Sequence, residues 1–267
     1  MCLIVVAYHA HPRYRLVVAA NRDESFSRPT DGAHFWDSAP DLLAGRDRQA
    51  GGTWLGLTRQ GRFGAVTNHR DPATVRCGAL SRGELLRECL LAESEPREFL
   101  YRSLSRAHEY GGFNILAVDL ARGASGLVYH TNSDPASPGG RIDTLKPGCY
   151  GLSNGLLDTP WPKLRKTRAG LERIVHSHAD DPNRLLCSLL ALMADDELAP
   201  DGELPDTGVD LESERRHSSV FITGDRYGTR STTVLAIDSA GTAFFRERPY
   251  EPGQIAGVER DFQFALS

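Results

Sequence analysis

Residues 2 to 8 and 15 to 21 contain two short β-branched runs, and from Leu3 to Ala7 and from Leu16 to Ala20 neither carries a polar side chain. A strand with one wet face alternates polar and apolar residues; these do not, so both of their faces are expected to be buried. The bridge His9-Ala-His11-Pro12 is short and turn-prone, which predicts a hairpin. Such a hairpin would return Asn21 to Asp23 towards Cys2, at the head of the first run.

The rest of the chain repeats the theme. Strands are expected at 53–58 and 62–67 around the turn Arg59-Gln60-Gly61, forming a second hairpin that ends at Asn68. Two helices follow, the first opened by the capping box Ser81-Arg-Gly-Glu84 and the second by Ser94 with Pro96 in its first turn. Strands return at 113–120 and 126–131, then a loop rich in Pro, Gly and Ser, then a strand-like segment from Cys149 to Asn154. Helices fit 162–178 and 182–194, where Leu185, Leu186, Leu189, Leu190 and Met193 recur at helical spacing and read as core. A long acidic loop is expected over 195–214, with closing strands near 218–223, 230–237 and 242–248. Helices segregated from antiparallel hairpins predict an α+β protein, and two mainly antiparallel sheets between helical layers would cover every face. No repeat and no compositional boundary divides the chain, so residues 1–267 are expected to form one domain.

Composition excludes several functions. A formal net charge of -4 gives no electrostatic basis for nucleic-acid binding. Lysine occurs only at 146, 163 and 166, none of them in a glycine-rich phosphate loop, which argues against a P-loop enzyme. The cysteines at 2, 77, 89, 149 and 187 are odd in number and widely spaced, the pattern of reduced thiols in a cytoplasmic protein. No positively charged leader precedes the first apolar run, and the apolar runs are too short to span a bilayer. His9 with His11 and His176 with His178 are paired, but no H-E-x-x-H or comparable carboxylate spacing indicates a metal.

Chemistry can start at Cys2. Once Met1 is removed, that residue carries a thiol and a free α-amine whose ordinary pKa values, roughly 8.5 and 8, let each exchange a proton with the other near neutrality. A cysteine in an apolar strand is otherwise a small buried hydrophobe. Asn21-Arg22-Asp23-Glu24 gathers four polar groups at the end of the second run, with Asn21 and Asp23 on one strand face and Arg22 and Glu24 on the other. Asp23 could orient the α-amine, or the tetrapeptide could be a solvated turn with an ion pair from Arg22. Asn68 and Asn154 each end a strand-like segment, where a side-chain amide can donate to an oxyanion or simply close an Asx turn. Trp54, in Gly51-Gly-Thr-Trp-Leu-Gly56, and Trp161, between Pro160 and Pro162, supply apolar surface that suits either a ligand pocket or a core.

Met1-Cys2-Leu-Ile, Asn21-Arg-Asp-Glu24, Arg28-Pro29, Gly51 to Gly56, Val66-Thr-Asn68, Arg82-Gly-Glu84, Tyr150-Gly-Leu-Ser-Asn154, Thr159-Pro-Trp-Pro-Lys163 and Tyr227-Gly-Thr-Arg230 together resemble the transport and Golgi organisation 2 family. It is also called the NRDE family, after the tetrapeptide at 21–24. The resemblance implies an N-terminal-nucleophile fold, a four-layer αββα sandwich, and links the chain to haem trafficking or to acyl-CoA and lipid handling. A more distant similarity, to choloylglycine hydrolases and penicillin V acylases, implies Cys2 as nucleophile, with Asn21 and Asp23 as the N-x-D pair and Asn68 and Asn154 as site amides. In that group an Arg precedes the Asp by three positions; Arg22 precedes Asp23 by one, an offset of roughly 6–7 Å along the same strand face. Arg230 is the nearest counterpart of the group's second Arg. The implied ligand is a small amphipathic molecule: an amide or thioester substrate, an acyl-CoA contacted by Arg22, Arg28 or Arg230, or haem as a transported ligand. No resident cofactor is implied, and Asn21, Arg22, Glu24, Trp54, Trp161 and Arg230 would line the site.

Overall fold

The computed structural model describes residues 2–70, 80–121, 126–177, 181–253 and 255–267, so Met1, Cys77 and His178 lie outside the described residues. In chain order the elements are β1 (Cys2–Tyr8), β2 (Tyr14–Ser25), β3 (Thr30–Trp36), β4 (Ala39–Asp47), β5 (Leu55–Thr58), β6 (Arg62–Asn68), α1 (Arg82–Leu91), α2 (Pro96–Ser103), β7 (Phe113–Asp119), β8 (Leu127–Thr131), β9 (Arg141–Leu145) and β10 (Gly148–Leu152). There follow α3 (Pro162–His176), α4 (Pro182–Met193), α5 (Leu211–His217), β11 (Tyr227–Asp238), β12 (Thr242–Glu251), β13 (Ile255–Ala256) and β14 (Arg260–Ala265). They divide into two compact units, residues 1–27 with 147–264 and residues 28–146 with 265–267.

The first unit is built on a sheet of order β10-β1-β2-β11-β12-β13, with β14 also paired to β12. Its ladders are antiparallel, and the expected N-terminal hairpin is present, with Val6 opposite Val18 and Cys2 opposite Arg22. His9 closes the turn in a left-handed conformation, its amide donating to the carbonyl of Arg15 at 2.8 Å. Leu3, Val5, Ala7, Val17, Ala19, Val234 and Ala236 share one face and pack under α3 and α4. On α4 the five expected residues, Leu185, Leu186, Leu189, Leu190 and Met193, are all buried. Burial of each contributes roughly 1.5–3 kcal/mol, which is why this short helix is fixed by packing more than by propensity.

The second unit is an antiparallel meander of order β3-β4-β5-β6-β7-β8-β9, with α1 and α2 inserted between β6 and β7. Its core joins Trp36, Leu42, Val66, Phe113 and Ile115 to Leu85, Leu86, Leu90 and Leu100 of the helices. Ser81 caps α1 as expected, its hydroxyl accepting from the Glu84 amide at 3.3 Å. One approach in this unit requires glycine: a Cβ on Gly52 would lie 2.2 Å from the carbonyl carbon of Gly83, because the strand entry runs against the first turn of α1.

Several elements differ from expectation. β2 continues to Ser25, so Asn21 to Glu24 lie within the strand; β11 pairs along its other edge as far as Tyr227 opposite Ser25. β3, β4 and β9 fall where no strand was expected, and their mixed or exposed surfaces show no clean alternation. Residues 195–214 are not one loop, since α5 begins at Leu211 behind the cap Asp210. Residues 218–223 form no strand; Val220 instead enters the helix-side core. Glu95, not Ser94, is the N-cap position of α2, and Pro96 occupies its first turn.

Candidate active site

Cys2 is the first residue of β1 and is buried, directly opposite Arg22 on β2, so the two side chains leave the same face of the ladder. The Asp23 amide donates to the thiol sulfur. Burial pushes the thiol pKa up and the Asp23 carboxylate pushes the same way, while the N-terminal charge, the Arg22 charge and the Asp23 amide only partly oppose them. The resting group is therefore a thiol that needs a base before it can attack a carbonyl.

On the other side of β1 the chain leaving β10 bends over Cys2. The Ser153 hydroxyl donates to the Cys2 carbonyl at 3.0 Å and lies 3.3 Å from Oδ1 of Asn154, which is fully buried. Just before this bend, within β10, a Cβ on Gly151 would meet the Leu164 side chain of α3 at 2.8 Å. Asp158, at φ +57°, clamps the same residue, its carboxylate accepting from the Gly151 amide at 2.8 Å.

Asp23 is held from β11. The Thr229 hydroxyl donates to Oδ1 of Asp23 at 2.7 Å while accepting from the Ile222 amide at 2.9 Å, so its single proton is committed to the carboxylate. The Tyr227 hydroxyl donates to the Asp23 carbonyl at 3.1 Å. Burial pushes the Asp23 carboxyl up, and the N-terminal charge, the charge of Lys163, the Thr229 bond and the charge of Arg22 pull it back.

Asn21 lies on the opposite face from Cys2. It is fully buried, its amide nitrogen donating to the carbonyls of Met193 at 2.9 Å and Val220 at 2.8 Å, while its oxygen accepts from the Thr232 hydroxyl at 2.6 Å. The alternation expected for the tetrapeptide holds, and it directs Asn21 into the helix-side core rather than to the thiol.

Arg22 pairs loosely with Glu24 at 3.8 Å, and Glu24 also accepts from the Ser25 amide at 2.8 Å. Between Thr229 and Ser231 the β2–β11 register shifts by one residue, and the extra residue is Arg230. Its guanidinium donates to the Ser25 carbonyl at 2.8 Å and stands 5.3 Å from the Phe26 ring. Burial and then the nearby Arg22 charge push its pKa down.

The remaining expected residues sit elsewhere. Trp161 precedes α3 and packs against the helix-side core of the first unit. Trp54 packs against the core of the second unit, where Asn68 ends β6 opposite Phe113. Arg28, also in that unit, is engaged by Asp47 at 2.7 Å. Two grooves along α3, of about 470 and 370 Å³, are lined by none of Cys2, Arg22, Asp23 or Asn154. Among the described residues no three His, Cys, Asp or Glu side chains group as a metal site, and no helix is long and apolar enough to cross a membrane. Ser153, Thr229 and Lys163 had no assigned role from sequence, although each lies in a quoted motif; only the ladder register reveals what they touch.

Two antiparallel sheets, each carrying helices, define an α+β protein. The fold is shared with the solved C2A mutant of conjugated bile acid hydrolase from Clostridium perfringens, with a TM-score of 0.50 over 100% of this chain and 92% of that one, at 9% identity. The family model for Transport and Golgi organisation 2 matches residues 1–252, and the chain belongs to that family. The human Transport and Golgi organization protein 2 homolog is 34% identical over 279 residues, covering 100% of this chain and 99% of the relative. The Mus musculus homolog is 35% identical over 264 residues, covering 93% and 92%.

Proposed function

We propose that the protein is an N-terminal-cysteine hydrolase that cleaves an amide or thioester of a small amphipathic ligand. The observation that carries this is the set of contacts around Cys2: a thiol opposite Arg22, an Asp23 amide on its sulfur, and Ser153 linking its carbonyl to Asn154. The fold-sharing bile acid hydrolase, whose mutated residue is also a cysteine at position 2, adds support.

After removal of Met1, the α-amine of Cys2 takes the thiol proton and the sulfur attacks the carbonyl carbon. The carbonyl π pair moves to oxygen, and Asn154 is assigned to that oxyanion. When the tetrahedral species collapses, the C–N or C–S bond breaks and the ammonium returns its proton to the leaving group. Water then displaces sulfur by the same route, regenerating the thiol. Asp23 is assigned to orient the amine, in the way a buried carboxylate orients a catalytic base.

A non-catalytic carrier of haem or an acyl-CoA-like ligand is the second reading. The electrostatic proximity of the Arg22 and Arg230 guanidiniums favours it, since paired cations suit a carboxylate or phosphate. Intact mass spectrometry of the purified protein comes first, because a retained Met1 blocks the amine and rules out the hydrolase. With Met1 absent, an activated acyl ester is expected to label wild type and not Cys2→Ala. Saturable haem or acyl-CoA binding without acyl-enzyme formation would favour the carrier.

A further inference from the structure

Lys163 sits in the first turn of α3 and is only 4% exposed. Two costs meet there. A buried ammonium is disfavoured unless it is compensated, and a cation in the first turn of a helix opposes the positive end of the helix dipole. Its Nζ donates to the carbonyl of His217 at 2.8 Å.

The surroundings identify the balancing charge. Asn21 and Asp23 share the β2 face on which α3 and α4 pack, as the Asn21 bonds to Met193 and Val220 establish. Gly151 lets Leu164 settle onto β10, carrying Lys163 down towards that face. His217 stacks edge-on to Tyr227 at 5.9 Å, and the Tyr227 hydroxyl donates to the Asp23 carbonyl. Lys163, His217, Tyr227 and Asp23 thus form one connected cluster, and the Lys163 charge acts on the Asp23 carboxyl in the direction of ionisation.

We infer that Lys163 is a positioning residue: its buried ammonium is a counter-charge, fixed on the helix side of the sheet, that helps keep Asp23 an anion in the correct place to orient the base of Cys2. Its use in catalysis rests on the function proposed above, whereas the electrostatic pairing does not. The charged or titratable groups acting on Asp23 are the chain's N-terminal ammonium, Lys163 from α3, and Arg22 and Cys2 from the hairpin, with Tyr227 on its carbonyl.

The test is a carboxyl ¹³C NMR titration of the full-length protein labelled at aspartate, with Asp23 assigned by the signal lost in Asp23→Asn. In Lys163→Met the Asp23 midpoint is expected to rise by about one pH unit or more, and in Lys163→Arg to return towards wild type. An unchanged midpoint in Lys163→Met overturns the assignment. Should that variant fail to fold, Lys163→Met combined with Asp23→Asn decides: recovery of the folded protein supports the pairing, and failure to recover overturns it. Because the readout is taken on the resting protein, a retained Met1 would defeat the catalytic proposal and leave this one standing.

Discussion

Replacing Asn21 by alanine isolates what the first residue of the tetrapeptide does. The change removes one fully buried amide and strands the Met193 carbonyl, the Val220 carbonyl and the Thr232 hydroxyl. A net hydrogen bond contributes about 1 kcal/mol, and a buried group left without a partner costs about 1–3 kcal/mol. Some of these groups can find water or shift, so the expected loss is about 3–6 kcal/mol. Thr232→Val, which removes only one of the three bonds, should cost about 1–2 kcal/mol. The losses should be read by urea denaturation followed by helix circular dichroism, with hydrogen-exchange mass spectrometry over α4 and residues 218–222. Exchange should rise there first, since those are the segments Asn21 ties to β2. A loss for Asn21→Ala within 1 kcal/mol of zero, or protection unchanged around Met193 and Val220, would refute the scaffold role and return Asn21 to the ligand site.

Gly52→Ala should lower stability by about 3 kcal/mol or more, measured by thermal melting, because the new Cβ would meet backbone rather than a movable side chain. His130 is fully buried with Nδ1 at 3.0 Å from the Arg141 carbonyl, and burial lowers its pKa below 6.5. The unfolded chain therefore binds the proton more readily, so stability present above that pH is lost as pH falls through it towards the folded value. The urea midpoint should fall between pH 7 and pH 5, and His130→Gln should flatten that fall; an unchanged slope would exclude His130 as its source. Burial pushes Cys89 up to about 12 and Cys149 up to about 11, whereas Cys187 is exposed. Alkylation of the native protein at pH 8, mapped by peptide mass spectrometry, should modify Cys187 long before Cys89.

Legibility in the sequence followed the physics of each segment. β1 and the apolar part of β2 were readable because side chains buried on both faces leave a run with no polar interruption. α4 was readable because a single packed face imposes helical spacing on its leucines. β3, β4 and β9 were not, since half-exposed strands with charged residues, and in β3–β4 a shifting register, take their structure from a neighbouring ladder rather than from their own composition. Residues 218–223 read as a strand around the apolar run Val220-Phe-Ile222; those three are buried without belonging to any ladder.

The sequence by itself determined the family, the α+β class and the hairpin that brings Cys2 back beside Arg22 and Asp23, because these follow from local periodicity and from motifs in fixed order. Tertiary structure decided which polar groups face the thiol. The β2–β11 register turned Asn21 into a core strut, gave Asp23 to Thr229 and re-aimed Arg230 through a one-residue bulge. It also brought Lys163, 140 positions beyond Asp23, into electrostatic reach of that carboxyl. A strand's pattern states that a side chain is buried; only its partners in the ladder, and the helix laid across them, fix what it is buried against.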